Sequence, residues 1–148
     1  MFEPKVENYI LQDALKIVLA KYLKENETEV KVTQGKKGKT GKCIKNSIKY
    51  DRDRVAIGFC VFKGDDLINT IDIIIHAINF DNETYIDNTK LGDYTFYLIE
   101  KYFDSDMTKI ELREEMLAIS REYKKLVIRE MRNIYKDIKL GNFRFEEE

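Results

Sequence analysis

Apolar residues return every three or four positions between Glu7 and Leu23, at Tyr9, Ile10, Ala14, Leu15, Ile17, Val18, Ala20 and Leu23, with Lys and Glu between them. That spacing predicts an amphipathic helix. Glu29 to Val32 alternates like a short strand, and the run Gln34 to Lys42, with three glycines and four lysines, reads as a flexible basic loop. The loop opens a short helix that begins at Cys43 and carries Ile44, Ile48 and Tyr50. Arg54–Phe62, Ile71–Phe80 and Thr84–Asp87 are β-branched and aromatic-rich, bounded by the turn signals Lys63-Gly-Asp-Asp66 and Asp81-Asn82. They predict consecutive antiparallel strands, joined by a further strand near Tyr94 to Leu98. From Ile110 through Leu112, Met116, Ile119, Leu126, Val127, Met131 and Ile134 to Ile138 the period is helical again, as one long helix or two joined ones. The whole is an α+β domain over residues 1–148. Residues 1–103 form the core, a central antiparallel sheet with a cysteine-bearing helix; 104–140 form a helical C-terminal extension; 141–148 form a frayed tail.

Composition narrows the class of partner. The 148 residues suffice for one core, and 26 Lys plus Arg against 27 Asp plus Glu leave no bulk charge to hold nucleic acid. No apolar run approaches the roughly 20 residues that span a bilayer, and the N-terminus lacks the pattern of a signal peptide. A soluble cytoplasmic protein is expected, with a protein or peptide as substrate or partner. The wealth of Lys, Asn and Ile suits a bacterial or phage origin. Two cysteines, Cys43 and Cys60, are too few for a disulfide framework. Each is either a small core residue or a nucleophile. No cofactor is expected.

The chain's only histidine, His76, stands inside its most apolar run, Ile73 to Phe80. If Asp81-Asn82 is a two-residue type I′ turn, His76 lies directly across from Asp87, with Cβ atoms about 4.5–5.5 Å apart. The carboxylate then accepts a ring N–H and fixes the tautomer. A buried histidine satisfied by Asp87 is one reading. A base oriented by Asp87 is the other, and Cys43 favours it: at a helix N-terminus a thiolate is stabilised by unpaired N–H groups and by the helix dipole. Cys60, between Phe59 and Val61, reads as a small hydrophobe.

The order of these parts resembles the papain-like and transglutaminase-like cysteine fold, in which a helix-borne cysteine precedes a sheet that supplies His and then Asp or Asn. The matching segments are Gly41-Lys-Cys-Ile-Lys-Asn-Ser47, His76-Ala-Ile-Asn79 and Tyr85-Ile-Asp-Asn-Thr89, within residues 30–100. Ile78 stands where that family carries an aromatic. The resemblance implies Cys43, His76 and Asp87 as catalytic residues, and an oxyanion hole completed by an upstream side-chain donor, for which Gln34 is the amide in the preceding loop.

Other signals carry less. Thr33-Gln-Gly-Lys-Lys-Gly-Lys-Thr40 is one glycine short of a phosphate-binding loop. One histidine and two distant cysteines make no zinc cluster. Lys36, Lys37 and Lys39 form either a solvated loop or a docking surface for an acidic partner. The long C-terminal apolar stripe needs a cover, either helix 1 or a second copy of the chain, and its length favours a homodimer. The expected function is a cysteine-dependent hydrolase or acyltransferase acting on an amide, peptide or thioester bond. The alternative is a catalytically inert binding or inhibitor protein of the same fold.

Overall fold

The computed structural model describes residues 6–63, 71–89, 91–103 and 107–139. The elements run α1 (Val6–Asn26), β1 (Thr28–Val30), β2 (Val32–Gly38), α2 (Cys43–Asp51), β3 (Arg54–Lys63), β4 (Ile71–Asp81), β5 (Thr84–Thr89), β6 (Thr95–Phe103) and α3 (Lys109–Lys139). This is an α+β fold. Among the described residues no helix is long and apolar enough to cross a membrane. The boundary near residue 104, the tail 141–148 and most of the turn after Lys63 lie outside the described residues.

β1 and β2 are separated by Lys31 alone, yet they occupy opposite ends of the strand order β1-β6-β3-β4-β5-β2. In a flat sheet the steps between them, each about 4.8 Å, would part them by roughly 24 Å. One residue spans at most about 3.6 Å. The sheet is therefore wound round on itself, with Thr28–Gly38 as one extended segment that pairs with β6 through its first part and with β5 through its second. Inside the winding lie Ala56, Cys60, Ile78, Phe80, Tyr85 and Phe96. On its outer face Val55, Ile57, Phe59, Val61, Ala77 and Tyr97 pack under Leu23 of α1, Ile48 of α2 and Leu112, Met116 and Ile119 of α3. β3 thus sends alternate side chains into two different cores, which is why its sequence is apolar throughout rather than alternating.

The sheet corrects two expectations. The pairing is antiparallel except for β2, which runs parallel to β5 through Val32↔Tyr85, Thr33↔Ile86, Gln34↔Asp87 and Gly38↔Thr89. Residues 34–38 of the basic segment are accordingly an edge strand and not a flexible loop, and residues 39–42 turn from it into α2. Its glycines serve close approach: a Cβ on Gly35 would stand 2.4 Å from Asn88 Oδ1, and one on Gly38 2.4 Å from Asn46 Cγ. α3 is a single helix. It begins with a reciprocal cap in which Glu111 N–H donates to Thr108 Oγ1 (3.1 Å) and Thr108 N–H to Glu111 Oε1 (3.3 Å). Tyr123 OH donates to Glu27 Oε1 at 2.6 Å and ties α3 to the end of α1. The chain itself covers the stripe at Leu112, Met116, Ile119 and Val127. The side chains from position 134 onward, the far end on which the expected homodimer also drew, lie outside the described residues.

Candidate active site

The turn between β4 and β5 is Asn82-Glu83, one position later than the sequence suggests, with pairs Asp81↔Thr84, Phe80↔Tyr85 and Asn79↔Ile86. Of the two turn residues only Asn82 has positive φ (55°), so this is not the type I′ turn that the Asp-Asn signal favours. Moving a turn by one residue moves each cross-strand partner by two, and two is the side-chain period of a strand. His76 and Asp87 therefore keep the same face and meet on the diagonal rather than directly opposite. His76 Nε2 lies 3.0 Å from both Asp87 oxygens, and each residue is 1% exposed.

The β4–β5 ladder ends at Asn79↔Ile86, beyond which β5 continues along β2. The N-terminus of α2 meets the sheet here. Cys43 is the first residue of α2, after Lys42, and no side chain caps that end. Burial opposes ionisation of the Cys43 thiol. A hydrogen bond and charge interaction with the His76 ring, and the N–H groups of Ala77 and Ile44 on the sulfur, outweigh it and hold the thiol below its ordinary range. With Nε2 on Asp87, Nδ1 is the ring nitrogen left for the sulfur. Burial likewise opposes the imidazolium, but Asp87 and the Cys43 thiolate overcome it and raise His76 from 6.5 to about 9. Both shifts favour a thiolate–imidazolium pair. Cys60 behaves oppositely: burial, then the charges of Asp87 and Cys43, push its thiol far up.

Five residues to which the sequence assigned no role, Thr89, Tyr94, Asn79, Asn88 and Asn46, complete the arrangement. Asp87 accepts from Thr89 N–H at 2.9 Å and from the Tyr94 hydroxyl in a short hydrogen bond, besides His76. A carboxylate only accepts, so three converging donors match it. Burial, followed by the hydrogen bond to Asp87, raises Tyr94 far above the ordinary phenol range and keeps it a donor. Asn79, fully buried, shares its two amide N–H bonds among the carbonyls of Ser47 and Asp51 at 2.9 Å, in the C-terminal turn of α2, and of Arg54 at 3.1 Å, at the start of β3. Asn88 Nδ2 donates to Asn79 Oδ1 at 3.0 Å, and Lys36 N–H to Asn88 Oδ1 at 2.9 Å. Asn46 Nδ2 reaches Thr89 Oγ1 at 2.9 Å. This polar chain clamps α2 against β4, β5 and β2, and so fixes where its first residue, Cys43, stands. A signal for Asn79 was present in the sequence: an amide within an otherwise apolar strand must find buried partners.

The remaining expected residues lie elsewhere. Gln34 turns its amide onto Asp87 O (3.0 Å) and Lys36 O (3.4 Å). It lines a hollow of about 460 Å³ with Asp87 and Tyr94, not the hollow of about 350 Å³ at Cys43. An oxyanion donor must point at the carbonyl oxygen of a substrate whose carbon lies beside the sulfur, whereas the Gln34 amide is engaged by Asp87 O and Lys36 O. Lys36 and Lys37 belong to β2 and Lys39 follows its end, with Lys36 Nζ 6.0 Å from the Tyr50 ring, and none of the three lines the Cys43 hollow. Comparisons with known protein families, with curated proteins and with solved structures find no match to this chain.

Proposed function

We propose that the protein is a cysteine-dependent hydrolase or acyltransferase in which Cys43 is the nucleophile, His76 the general base and acid, and Asp87 the group that orients the imidazole. The observation that carries this reading is the hydrogen-bonded line Cys43–His76–Asp87 placed at an uncapped helix N-terminus. The resemblance of its three segments to papain-like and transglutaminase-like proteins supports it. The thiolate attacks the carbonyl carbon of an amide or thioester and forms a C–S bond. The C–N or C–S bond of the substrate breaks, and the imidazolium gives its proton to the leaving amine or thiol. His76, now neutral, takes a proton from water or from an acceptor amine, which attacks the thioester; the enzyme's C–S bond breaks and the pair is restored. The main-chain N–H groups of Ile44 and Ala77, directed at the sulfur, favour the thiolate as nucleophile and as the leaving group of the second step. A reducing cytoplasm would keep both thiols in the form this chemistry needs.

One observation favours the inert binding protein instead: His76 is 1% exposed, so a leaving group must reach a ring with almost no open surface. Labelling with iodoacetamide near neutral pH separates the two. The enzymatic reading expects Cys43 to be alkylated much faster than Cys60, and His76→Ala to slow Cys43 alone. Equal, slow labelling of both thiols would establish the inert reading.

A further inference from the structure

Resting on Cys43 as nucleophile, we infer that its acyl substrate is an acidic peptide, held in the hollow between the first turns of α2 and α3. That hollow, of about 350 Å³, has Lys42, Lys45, Lys109 and Arg113 around Cys43 and no acidic side chain in its lining. Among the described residues none of these four cations forms an ion pair, whereas Lys16 pairs with Asp72 and Arg54 with Asp81. Four cations without an ion pair among the described residues, in a chain of net charge −1, are a local departure from the whole. Two helices also begin at this hollow, α2 at Cys43 and α3 at Lys109, and each N-terminus adds its positive end to the same space. The reciprocal cap at Thr108 and Glu111 sets the start of α3, which brings Lys109, Ile110 and Arg113 toward Cys43 and engages Glu111, the acid of that turn, with Thr108.

The apolar part of the hollow comes from Ile44 and Ile110, the latter 71% exposed. Such a surface suits the methylene stem of a Glu side chain whose carboxylate meets Lys109 or Arg113. Flanking acidic residues would be drawn in by the cations and would set the scissile carbonyl at the sulfur. A basic peptide would be repelled from the same rim.

The test uses the full-length protein and three peptidyl fluoromethyl ketones that differ in having Glu, Gln or Lys at the two residues preceding the warhead. In each the Cys43 sulfur bonds to the methylene carbon and fluoride leaves, and mass spectrometry reads labelling at Cys43 against Cys60. Rates are normalised to iodoacetamide alkylation of the same protein. The Glu probe is expected to label Cys43 about tenfold or more faster than the Gln probe, with the Lys probe slowest. Added salt should shrink that order, and the double variant Lys109→Glu, Arg113→Glu should reverse it. Equal rates for the three probes on a Cys43 that iodoacetamide labels quickly would overturn the substrate class and leave the nucleophile standing. Slow reaction of Cys43 with every reagent, iodoacetamide included, would overturn both.

Discussion

His76 Nε2 stands 3.0 Å from each oxygen of Asp87, although the ladder that carries them would set His76 opposite Thr89. Two consequences follow from the diagonal contact. The ring edge that does not face Asp87 is turned to the break between β4 and β5, where Cys43 enters, and the proton on Nε2 is held by a carboxylate buried to the same degree.

The pH dependence of stability follows from that second point. The folded-state pKa of His76 is raised from 6.5 to about 9, so the folded chain binds this proton more tightly than the unfolded one. The stabilisation is complete below about 6.5 and is lost as the pH rises through about 9. The excess of the wild-type urea midpoint over that of Asp87→Asn should therefore shrink across this window. A constant difference would show that the ring is neutral in the folded protein.

For Cys43 the sign is opposite, because its thiol is lowered. Its alkylation by iodoacetamide should persist at a pH well below the ordinary thiol pKa of about 8.5. Replacing His76 with Ala removes the largest group favouring the thiolate, and should move the whole pH–rate profile upward. A profile centred on the ordinary thiol value in the wild type would contradict the pairing.

Tyr94→Phe isolates one donor to Asp87. The phenol is half-buried and ends on Asp87 Oδ2, while His76 and Thr89 continue to donate to the carboxylate. Losing one hydrogen bond to a charged acceptor is expected to cost about 1–3 kcal/mol. Iodoacetamide labelling of Cys43 should slow several-fold as the imidazole loses part of its anchoring. Unchanged stability together with an unchanged rate would remove Tyr94 from the positioning of Asp87.

Gly58 offers a test of the winding itself. It stands opposite His76 in β3, beside the register shift between β3 and β6, and a Cβ there would lie 2.2 Å from Tyr97 O and 2.5 Å from the Phe96 ring. Neither the backbone of β6 nor the buried ring has room to retreat, so Gly58→Ala is expected to destabilise by about 1–3 kcal/mol or more. A thermal midpoint equal to the wild type would contradict the close approach of β3 and β6.

Local signals made much of this readable. The helical period and the glycine before it place α2 and Cys43 at its start, and β-branched runs place β3 and β4. The His76–Asp87 contact is legible despite the misplaced turn, because an error of one residue in the turn preserves strand parity. β2 is not legible, since its strand character comes from β5, some fifty residues away, and its glycines look like loop glycines until Asn88 and Asn46 are seen to fill the space above them. Gln34 illustrates the same limit: an amide upstream in sequence is turned onto Asp87 O and away from the Cys43 hollow. Tyr94 gives no periodic signal, because its role depends on where one hydroxyl ends.

Asn79 is the position where fold and chemistry are most tightly joined. Its amide nitrogen serves the carbonyls of Ser47, Asp51 and Arg54, and its oxygen accepts from Asn88, all at a residue with no exposed surface. Asn79→Ala leaves Asn88 Nδ2 and the buried Ser47 carbonyl without these partners, and unsatisfied buried groups cost about 1–3 kcal/mol each. A total loss of about 2–4 kcal/mol is expected, larger than that of Asn46→Ala, whose amide lies nearer the surface. Because α2 is then held less firmly at its C-terminal end, hydrogen exchange of its amides should accelerate while those of β3 stay protected. The Cys43 profile should also shift upward in pH, since the sulfur depends on the placement of α2 beside Ala77 and His76. A loss below about 1 kcal/mol, with α2 exchanging as in the wild type, would mean that the helix is held by Ile48 in the core and that the asparagine network only fills space.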